Sequence, residues 1–220
     1  MQRGRDADQG SAALRLFTWL VIVAVVVGGA VFWYLRRASS VSVSNAINSC
    51  SLNLAVANPY DNGALRYVAV GTGTTSAIAA VRSPSGWLAC VVGDGVSASP
   101  IAPALLRPPL SVIVTAADGS PPQALLILVH RTAPTSGVVA RSATSRSTVV
   151  AAADGFEVLR LTLSPWPRPR RGAPFVPLHV GAITGYSGAG GATARLALDW
   201  CARATAVRAG QDCASAVRAP

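Results

Sequence analysis

The chain has 220 residues and a formal net charge of +10, and all nineteen of its cationic side chains are arginines. This surplus favours anionic partners such as lipid headgroups or wall polymers. After residue 37 the chain is long enough for one domain with a real core or for two small ones, whereas residues 1–15 are too few to fold alone. The abundance of Arg, Ala, Gly, Pro and Val is typical of a GC-rich genome, so a single arginine carries little functional information.

The uncharged stretch Leu16–Leu35 predicts a transmembrane helix. At about 1.5 Å per residue it would be about 30 Å long, the thickness of a bilayer's hydrocarbon core. Arg15 and the pair Arg36–Arg37 lie directly outside it, and aromatic residues lie near both ends, as at membrane interfaces. The alternative is a buried core helix. Ala24 and Gly28 form a small-residue face that would allow weak self-association through this helix.

We interpret the stretch as an uncleaved signal anchor. A cleavable signal peptide has an apolar core of about 7–15 residues, whereas this one is longer and is followed by two arginines. Ala38-Ser39-Ser40 nevertheless offers small residues for cleavage, so a cleaved form remains an alternative. A lipoprotein fits less well, because Cys50 lies far beyond the apolar run.

The flanking charges predict an amino terminus in the cytoplasm. Three arginines precede the stretch near the membrane and two follow it, a small positive-inside bias. All four cysteines come after it, which fits disulfides in an oxidising compartment. We therefore expect a single-pass protein of the cell membrane with residues 38–220 outside the cytoplasm, where nucleic acid is not a partner.

The remaining chain predicts a mainly β protein, with one β-sandwich-like domain over residues 49–200. Residues 36–48 are expected to form a stalk, because residues 38–48 are small and polar. Apolar runs separated by Gly, Pro, Asn and Asp predict short strands. These are Ser51–Ala57, Leu65–Val70, Ala77–Arg82, Trp87–Val92, Leu110–Ala116, Ala124–His130, Gly137–Arg141, Thr148–Ala152, Phe156–Leu163, Phe175–Val180 and Ala182–Tyr186.

An internal repeat joins two of these regions. Ser111–Gly119 and Ser147–Gly155 are identical at six of nine positions, and both end in Ala-Ala-Asp-Gly. Asp-Gly supplies the positive φ angles of tight hairpins. We expect two hairpins of similar build in one sheet system; a duplicated module is the alternative.

The segment Trp166-Pro167-Arg168-Pro169-Arg170-Arg171 is a candidate contact for an anionic surface. Its alternating prolines favour an extended backbone, and Trp166, Arg168, Arg170 and Arg171 suit a polyanion or lipid headgroups. A solvated loop between strands is the simpler interpretation.

Gly185-Tyr186-Ser187-Gly188-Ala189 is the one stretch that resembles an enzyme motif, the nucleophile elbow of α/β-hydrolases. In that fold the acid and then the histidine follow the serine in the chain, but His130 and His179 both precede Ser187. A glycine-rich hairpin turn is therefore favoured, and a serine hydrolase that uses Ser187 is the alternative function.

Other chemistry finds little support in the sequence. Each histidine ends or lies within an apolar strand, where a structural or surface role is the commoner one. The aspartates that precede glycines, such as Asp118 and Asp154, are turn residues first. Gly71-Thr72-Gly73 lacks the strand–helix context of a phosphate loop. No metal, cofactor or catalytic residue is therefore expected.

Residues 201–220 are expected to be a cysteine-bearing tail. The alanine-rich stretch Ala192–Ala209, which overlaps it, could be helical. Four cysteines allow three pairings. We favour Cys50 with Cys90 and Cys201 with Cys213, which joins neighbours; a zinc site is the alternative, but no close C-x₂-C pair is present.

Half of the outer segment resembles uncharacterised one-pass envelope proteins of GC-rich Gram-positive bacteria. The likeness is carried by Ala80–Val92, a strand–turn–strand ending near a cysteine, by Gly137–Gly155, and by the turn Tyr186–Gly191. The resemblance implies no activity, and the tail after Trp200 departs from it.

Taken together, the sequence predicts a membrane-anchored, extracytoplasmic binding or scaffold module without catalytic activity. Its expected partners are membrane lipid and another envelope protein or an anionic wall polymer.

Overall fold

The computed structural model describes residues 19, 21–23, 25, 27, 42–57, 65–173 and 175–218. The chain divides into two units, Met1–Ser40 and Val41–Pro220, and the architecture below is that of the second. The predicted span Leu16–Leu35 lies largely outside the described residues, as do its small-residue face and residues 36–41 of the predicted stalk. The six described residues of the span are helical. None of the helices in the described part of the chain combines the length and apolarity needed to cross a membrane.

The second unit is mainly β, as predicted. Its described residues form two α-helices, a short 3-10 helix at Pro103–Leu106 and twelve strands. In chain order they are α1 Val43–Ala57, β1 Arg66–Thr72, β2 Ala77–Ser83, β3 Gly86–Val92, β4 Val96–Pro100, β5 Leu110–Asp118, β6 Ala124–Arg131, β7 Gly137–Arg141, β8 Thr148–Ala153, β9 Phe156–Thr162, β10 Pro177–Tyr186, β11 Ala192–Cys201, β12 Ala206–Arg208 and α2 Cys213–Arg218.

The strands form three antiparallel sheets in the described part of the chain. Sheet A has the order β1-β2-β3-β4, sheet B the order β12-β5-β6-β9-β8, and sheet C the order β11-β10-β7. The β5–β6 and β8–β9 hairpins, which contain the internal repeat, are both in sheet B, as expected. Two sheet-on-sheet interfaces replace the single interface of a two-sheet sandwich.

Sheet B is the middle layer, because its central strand is buried on both faces. Leu125, Ile127 and Val129 of β6 pack into the core shared with sheet C. Leu126 and Leu128 alternate with them and pack into the core shared with sheet A. This two-sided burial explains why the β6 sequence is a continuous apolar run rather than an alternating one.

A helix covers the outer face of sheet A, where the sequence had predicted a stalk and then a strand at Ser51–Ala57. Ser42 begins it, because its Oγ accepts a hydrogen bond from the Asn45 N–H. Ala46, Cys50 and Leu54, four residues apart, pack on sheet A and the Cys50–Cys90 disulfide fixes the helix to β3. The strand prediction was wrong because it relied on the apolar run Ser51–Ala57 and missed the helical period that begins earlier.

The secondary structure of the carboxyl-terminal region also differs from the prediction. The alanine-rich stretch in which a helix was considered plausible contains strands β11 and β12. The two strands predicted at Phe175–Val180 and Ala182–Tyr186 are one strand, β10, which begins only at Pro177. In β11, Leu198 and Trp200 are buried while Ala197 and Asp199 are exposed, so period-two burial outweighs the helix propensity of alanine. Helix α2 is joined to β11 by Cys201–Cys213, and both disulfides have the predicted pairing.

Candidate functional site

The carboxylate of Asp118 is fully buried at the end of β5, between sheets A and B. Its Oδ1 accepts hydrogen bonds from the backbone N–H groups of Thr74 (2.7 Å), Thr75 (2.9 Å) and Ser76 (3.3 Å), and from the Ser76 hydroxyl. Its Oδ2 accepts from Nε and Nη2 of Arg160, at 3.3 and 3.2 Å. We call Asp118, Arg160 and residues 73–76 the Asp118 cluster.

Glycine makes this close approach possible. A Cβ atom on Gly73 would lie 2.3 Å from Cγ of Asp118, so no other residue fits there. The Thr75 hydroxyl closes the cluster by accepting the Gly119 N–H at 2.9 Å. The loop after Gly71-Thr72-Gly73 thus does gather N–H groups around an anion, but that anion is the protein's own carboxylate.

A cleft of about 520 Å³ lies beside the Asp118 cluster. Apolar residues from β3, β5 and the segment before β12 line it, together with Trp166 and with the polar residues Thr75, Ser97, Ser120 and Thr205. Asp94 and Arg203 are its charged lining residues. Arg203 has φ +72°, an uncommon backbone conformation for a residue other than glycine. The cleft offers space for a small polar molecule but brings together no acid–base pair.

Ser187 lies in the hairpin turn between β10 and β11. Its N–H donates to the Gly191 carbonyl and its own carbonyl accepts from Gly190, which closes the turn. A strand follows this turn, whereas a nucleophile elbow needs a helix there. His179 lies on β10, eight residues before Ser187. Eight residues of an extended strand separate the two by about 26 Å. Nδ1 of His179 is instead 3.0 Å from Oδ1 of Asp199 on the exposed side of sheet C.

His130 is packed among aromatic rings rather than placed beside a nucleophile. Its ring centroid is 4.7 Å from that of Phe156, which in turn is 4.7 Å from that of Trp87. Burial, and then the charge of Arg131, lower the pKa of His130. The site therefore favours the neutral imidazole and serves packing.

Most described carboxylates are engaged in structural contacts. Ion pairs join Asp118 to Arg160, Glu157 to Arg131, Asp154 to Arg66 and Asp199 to His179. Asp212 accepts hydrogen bonds from the backbone and hydroxyl of Ser215 at the start of α2, and the backbone bond lowers its pKa. Among the described carboxylates, only Asp94 has neither an ion pair nor a hydrogen bond to its side chain. No group of three metal-ligating side chains occurs in the described ranges.

The predicted contact segment divides into a buried and an exposed part. Trp166 packs edge-on against Trp200, with ring centroids 6.0 Å apart, and so belongs to the core between sheets B and C. Arg168, Arg170 and Arg171 are exposed, and none of them has a carboxylate partner among the described residues. We call residues 166–173, 175 and 176 the arginine loop.

Two contributors to this region were missed from the sequence. Phe175 was expected to begin a strand, but it precedes β10 and is exposed. The guanidinium carbon of Arg218, at the end of α2, lies 5.7 Å from the centre of its ring. The sequence offered one signal for this contact, the pairing of Cys201 with Cys213. That disulfide joins α2 to β11, which pairs with β10, the strand that follows Phe175.

Comparison with known proteins places no further constraint on the function of these residues. No family model, no curated protein and no solved structure matches this chain.

Proposed function

We propose that the protein is a single-pass membrane protein whose extracytoplasmic β-domain is a non-catalytic binding or scaffold module for an anionic partner. The observation that carries the proposal is the arginine loop, in which Arg168, Arg170 and Arg171 are exposed and have no carboxylate partner within the described part of the chain. The partner is a lipid headgroup surface, a wall polymer or an acidic face of another envelope protein.

The distribution of charge supports an external anionic partner. Four of the six described acidic side chains of the domain are held in internal pairs, so these four do not neutralise the loop arginines. Three guanidinium groups within four residues produce a local positive field that attracts polyanions. Arginine also binds phosphate and carboxylate oxygens through two parallel N–H groups.

The proposed location has two independent supports. The apolar stretch 16–35, bounded by arginines, has the length and flanks of a membrane anchor. Two disulfides with no free thiol fit an oxidising exterior. Digestion of residues 38–220 by a protease added to intact cells is the expected result; a protected domain would contradict the topology.

The binding test uses a soluble polyanion and variants matched in charge. We expect the full-length protein in neutral detergent to bind polyphosphate, and the triple variant Arg168→Ser, Arg170→Ser, Arg171→Ser to bind it at least about tenfold more weakly at low salt. The control variant replaces Arg107, Arg141 and Arg195, which are exposed elsewhere, by serine. If both variants lost the same affinity for polyphosphate, binding would depend only on the net charge of the protein. That result would overturn the proposal.

A serine-reactive fluorophosphonate probe tests the hydrolase alternative. A non-catalytic module should not be labelled, whereas labelling that disappears in Ser187→Ala would establish the hydrolase. The turn geometry around Ser187 supports the first outcome.

A further inference from the structure

Two large apolar side chains lie exposed next to the loop arginines. Phe175 is 46% exposed and Val176 is 53% exposed. Among the described Phe, Tyr and Trp residues of the unit Val41–Pro220, only Phe175 is exposed. Exposed apolar groups beside a basic segment are typical of protein surfaces that bind membranes.

A fourth arginine is held in this patch by the fold. Arg218 stacks over the Phe175 ring, and its helix α2 is joined to β11 through the disulfide between Cys201 and Cys213. Pro177, two residues after Phe175, is the register partner of Cys201. The disulfide therefore keeps Arg218 and the end of the arginine loop together.

The other end of the loop is fixed in the same place. Trp166 packs on Trp200, which is the register partner of Leu178. Both ends of the arginine loop thus start from adjacent positions of β10 and β11, and the arginines lie between them in sequence. A rigid base with an exposed tip lowers the entropy lost on binding.

We propose that the arginine loop and Arg218 bind the surface of an anionic lipid bilayer, with Phe175 and Val176 entering the interface and the four guanidinium groups contacting lipid phosphates. This inference rests on the proposed function and names its partner. A water-soluble polyanion would satisfy the arginines but would leave both apolar side chains in water. A bilayer satisfies both.

Each arginine near an anionic surface is worth about fivefold in membrane partitioning, so four together give several hundredfold. An exposed loop of this kind is also open to trypsin, which cleaves after arginine unless proline follows. Cleavage after Arg171 is therefore available, and because neither disulfide spans this bond, the two fragments separate on a denaturing gel. Bilayer contact should block that cleavage.

The experiment places the full-length protein in phosphatidylcholine nanodiscs and measures the rate of cleavage after Arg171. One arm adds phosphatidylglycerol to the nanodisc itself, and a second adds phosphatidylglycerol vesicles from outside. We expect anionic lipid to slow cleavage about tenfold or more in one of the two arms, and neutral lipid to leave it unchanged. Unchanged cleavage in both arms would overturn the inference.

Variants distinguish lipid from polymer. The pair Phe175→Ser, Val176→Ser should lose most of the protection, Phe175→Leu should keep it, and the exposed pair Val149→Ser, Val150→Ser on β8 is the matched control. Since Phe175 and Val176 are exposed, near-ultraviolet circular dichroism should show an unchanged fold. If the serine pair is still protected, and polyphosphate protects both proteins equally, the partner is a polymer and the lipid assignment fails. Failure of the proposed function is separate: there, the arginine variants would not weaken polyphosphate binding.

Discussion

The two copies of Ala-Ala-Asp-Gly in sheet B begin alike and end differently. In the second copy, Asp154 and Gly155 both have positive φ, at 49° and 82°, and form a two-residue hairpin between β8 and β9. In the first copy only Gly119 has positive φ, at 101°, and the connection to β6 runs to Gln123. Asp154 is a half-exposed turn residue, whereas Asp118 is the buried centre of a cluster.

Two causes explain the difference. Ser120-Pro121-Pro122 follows the first Gly, and proline cannot donate the hydrogen bonds that would continue the strand. Phe156 follows the second Gly and begins β9 directly. The second cause is tertiary: sheet A places the N–H groups of residues 74–76 over Asp118. The Ala-Ala-Asp-Gly motif thus has a positive φ at its glycine in both copies. The role of the aspartate depends on the residues that follow the motif and on those that pack against it.

Isosteric substitution of the two aspartates should produce the largest contrast. Asp118→Asn removes the charge paired with Arg160 in a buried site, so we expect the free energy of unfolding to fall by about 3 kcal/mol. Asp154→Asn should change it by less than about 0.5 kcal/mol, because asparagine tolerates the left-handed backbone and the ion pair with Arg66 is exposed. Urea unfolding of the full-length protein in neutral detergent measures both. Equal effects would mean that Asp118 is only a turn residue.

Filling the space that Asp118 occupies should be nearly as damaging. The new Cβ of Gly73→Ala would overlap the carboxylate, and we expect a loss of about 2 kcal/mol. Gly95→Ala is the control, since a Cβ there meets no atom within 4 Å. In combination with Asp118→Ala, which removes the group that the new Cβ overlaps, the Gly73 effect should be clearly smaller than alone, because the two residues share one contact. Strict additivity would contradict the cluster.

The glycines, unlike the aspartates, should behave alike. Gly119→Ala places a Cβ 3.0 Å from the Pro121 carbonyl oxygen, and Gly155→Ala places one 2.9 Å from that of Arg131. Each also forces alanine to a positive φ, so we expect both to lose about 1–2 kcal/mol in the same unfolding assay. If Gly119→Ala did not lower the free energy of unfolding, the longer loop after Asp118 would be able to relax around the new Cβ. The two copies would then not share a requirement for glycine.

The sequence was sufficient to predict elements whose signal is local. The strands around Ile78, Ile127 and Val158 were predicted within a few residues because apolar runs between turn residues mark them. A strand was predicted where helix α1 forms, and a helix was considered where strand β11 forms. Both segments are rich in small residues, whose pattern fits a helical period and a strand period alike. In both, burial against a sheet decided the outcome.

The sites depended on contacts distant in sequence, which composition cannot reveal. Asp118 accepts hydrogen bonds from residues that lie 42 to 44 positions away in the chain. The Asp-Gly pair itself does not distinguish Asp118 from Asp154. The exposure of Arg168, Arg170 and Arg171 follows from proline-rich sequence alone. Trp166 was assigned with them because its partner, Trp200, lies 34 residues later in the chain, on β11.

The smallest effect concerns pH, and it belongs to the second turn. A Cβ on Gly155 would lie 3.4 Å from Nε2 of His130, so this ring packs directly against the Asp154–Gly155 turn. Burial, followed by the nearby Arg131 charge, lowers the pKa of His130 below its ordinary value of 6.5. Below that pH the unfolded chain therefore binds more protons than the folded one, and the free energy of unfolding decreases as the pH falls.

His130→Phe should remove this part of the pH dependence. The stabilisation from neutral His130 is complete above pH 6.5 and is lost as the pH falls through the lowered pKa. Phenylalanine keeps the contact with Phe156 but does not titrate, so urea unfolding from neutral to mildly acidic pH should give a flatter curve for the variant than for the wild type. If the free energies of unfolding of the wild type and the variant change in parallel with pH, the pH dependence comes from other groups. The two turns would then differ only in the role of their aspartates.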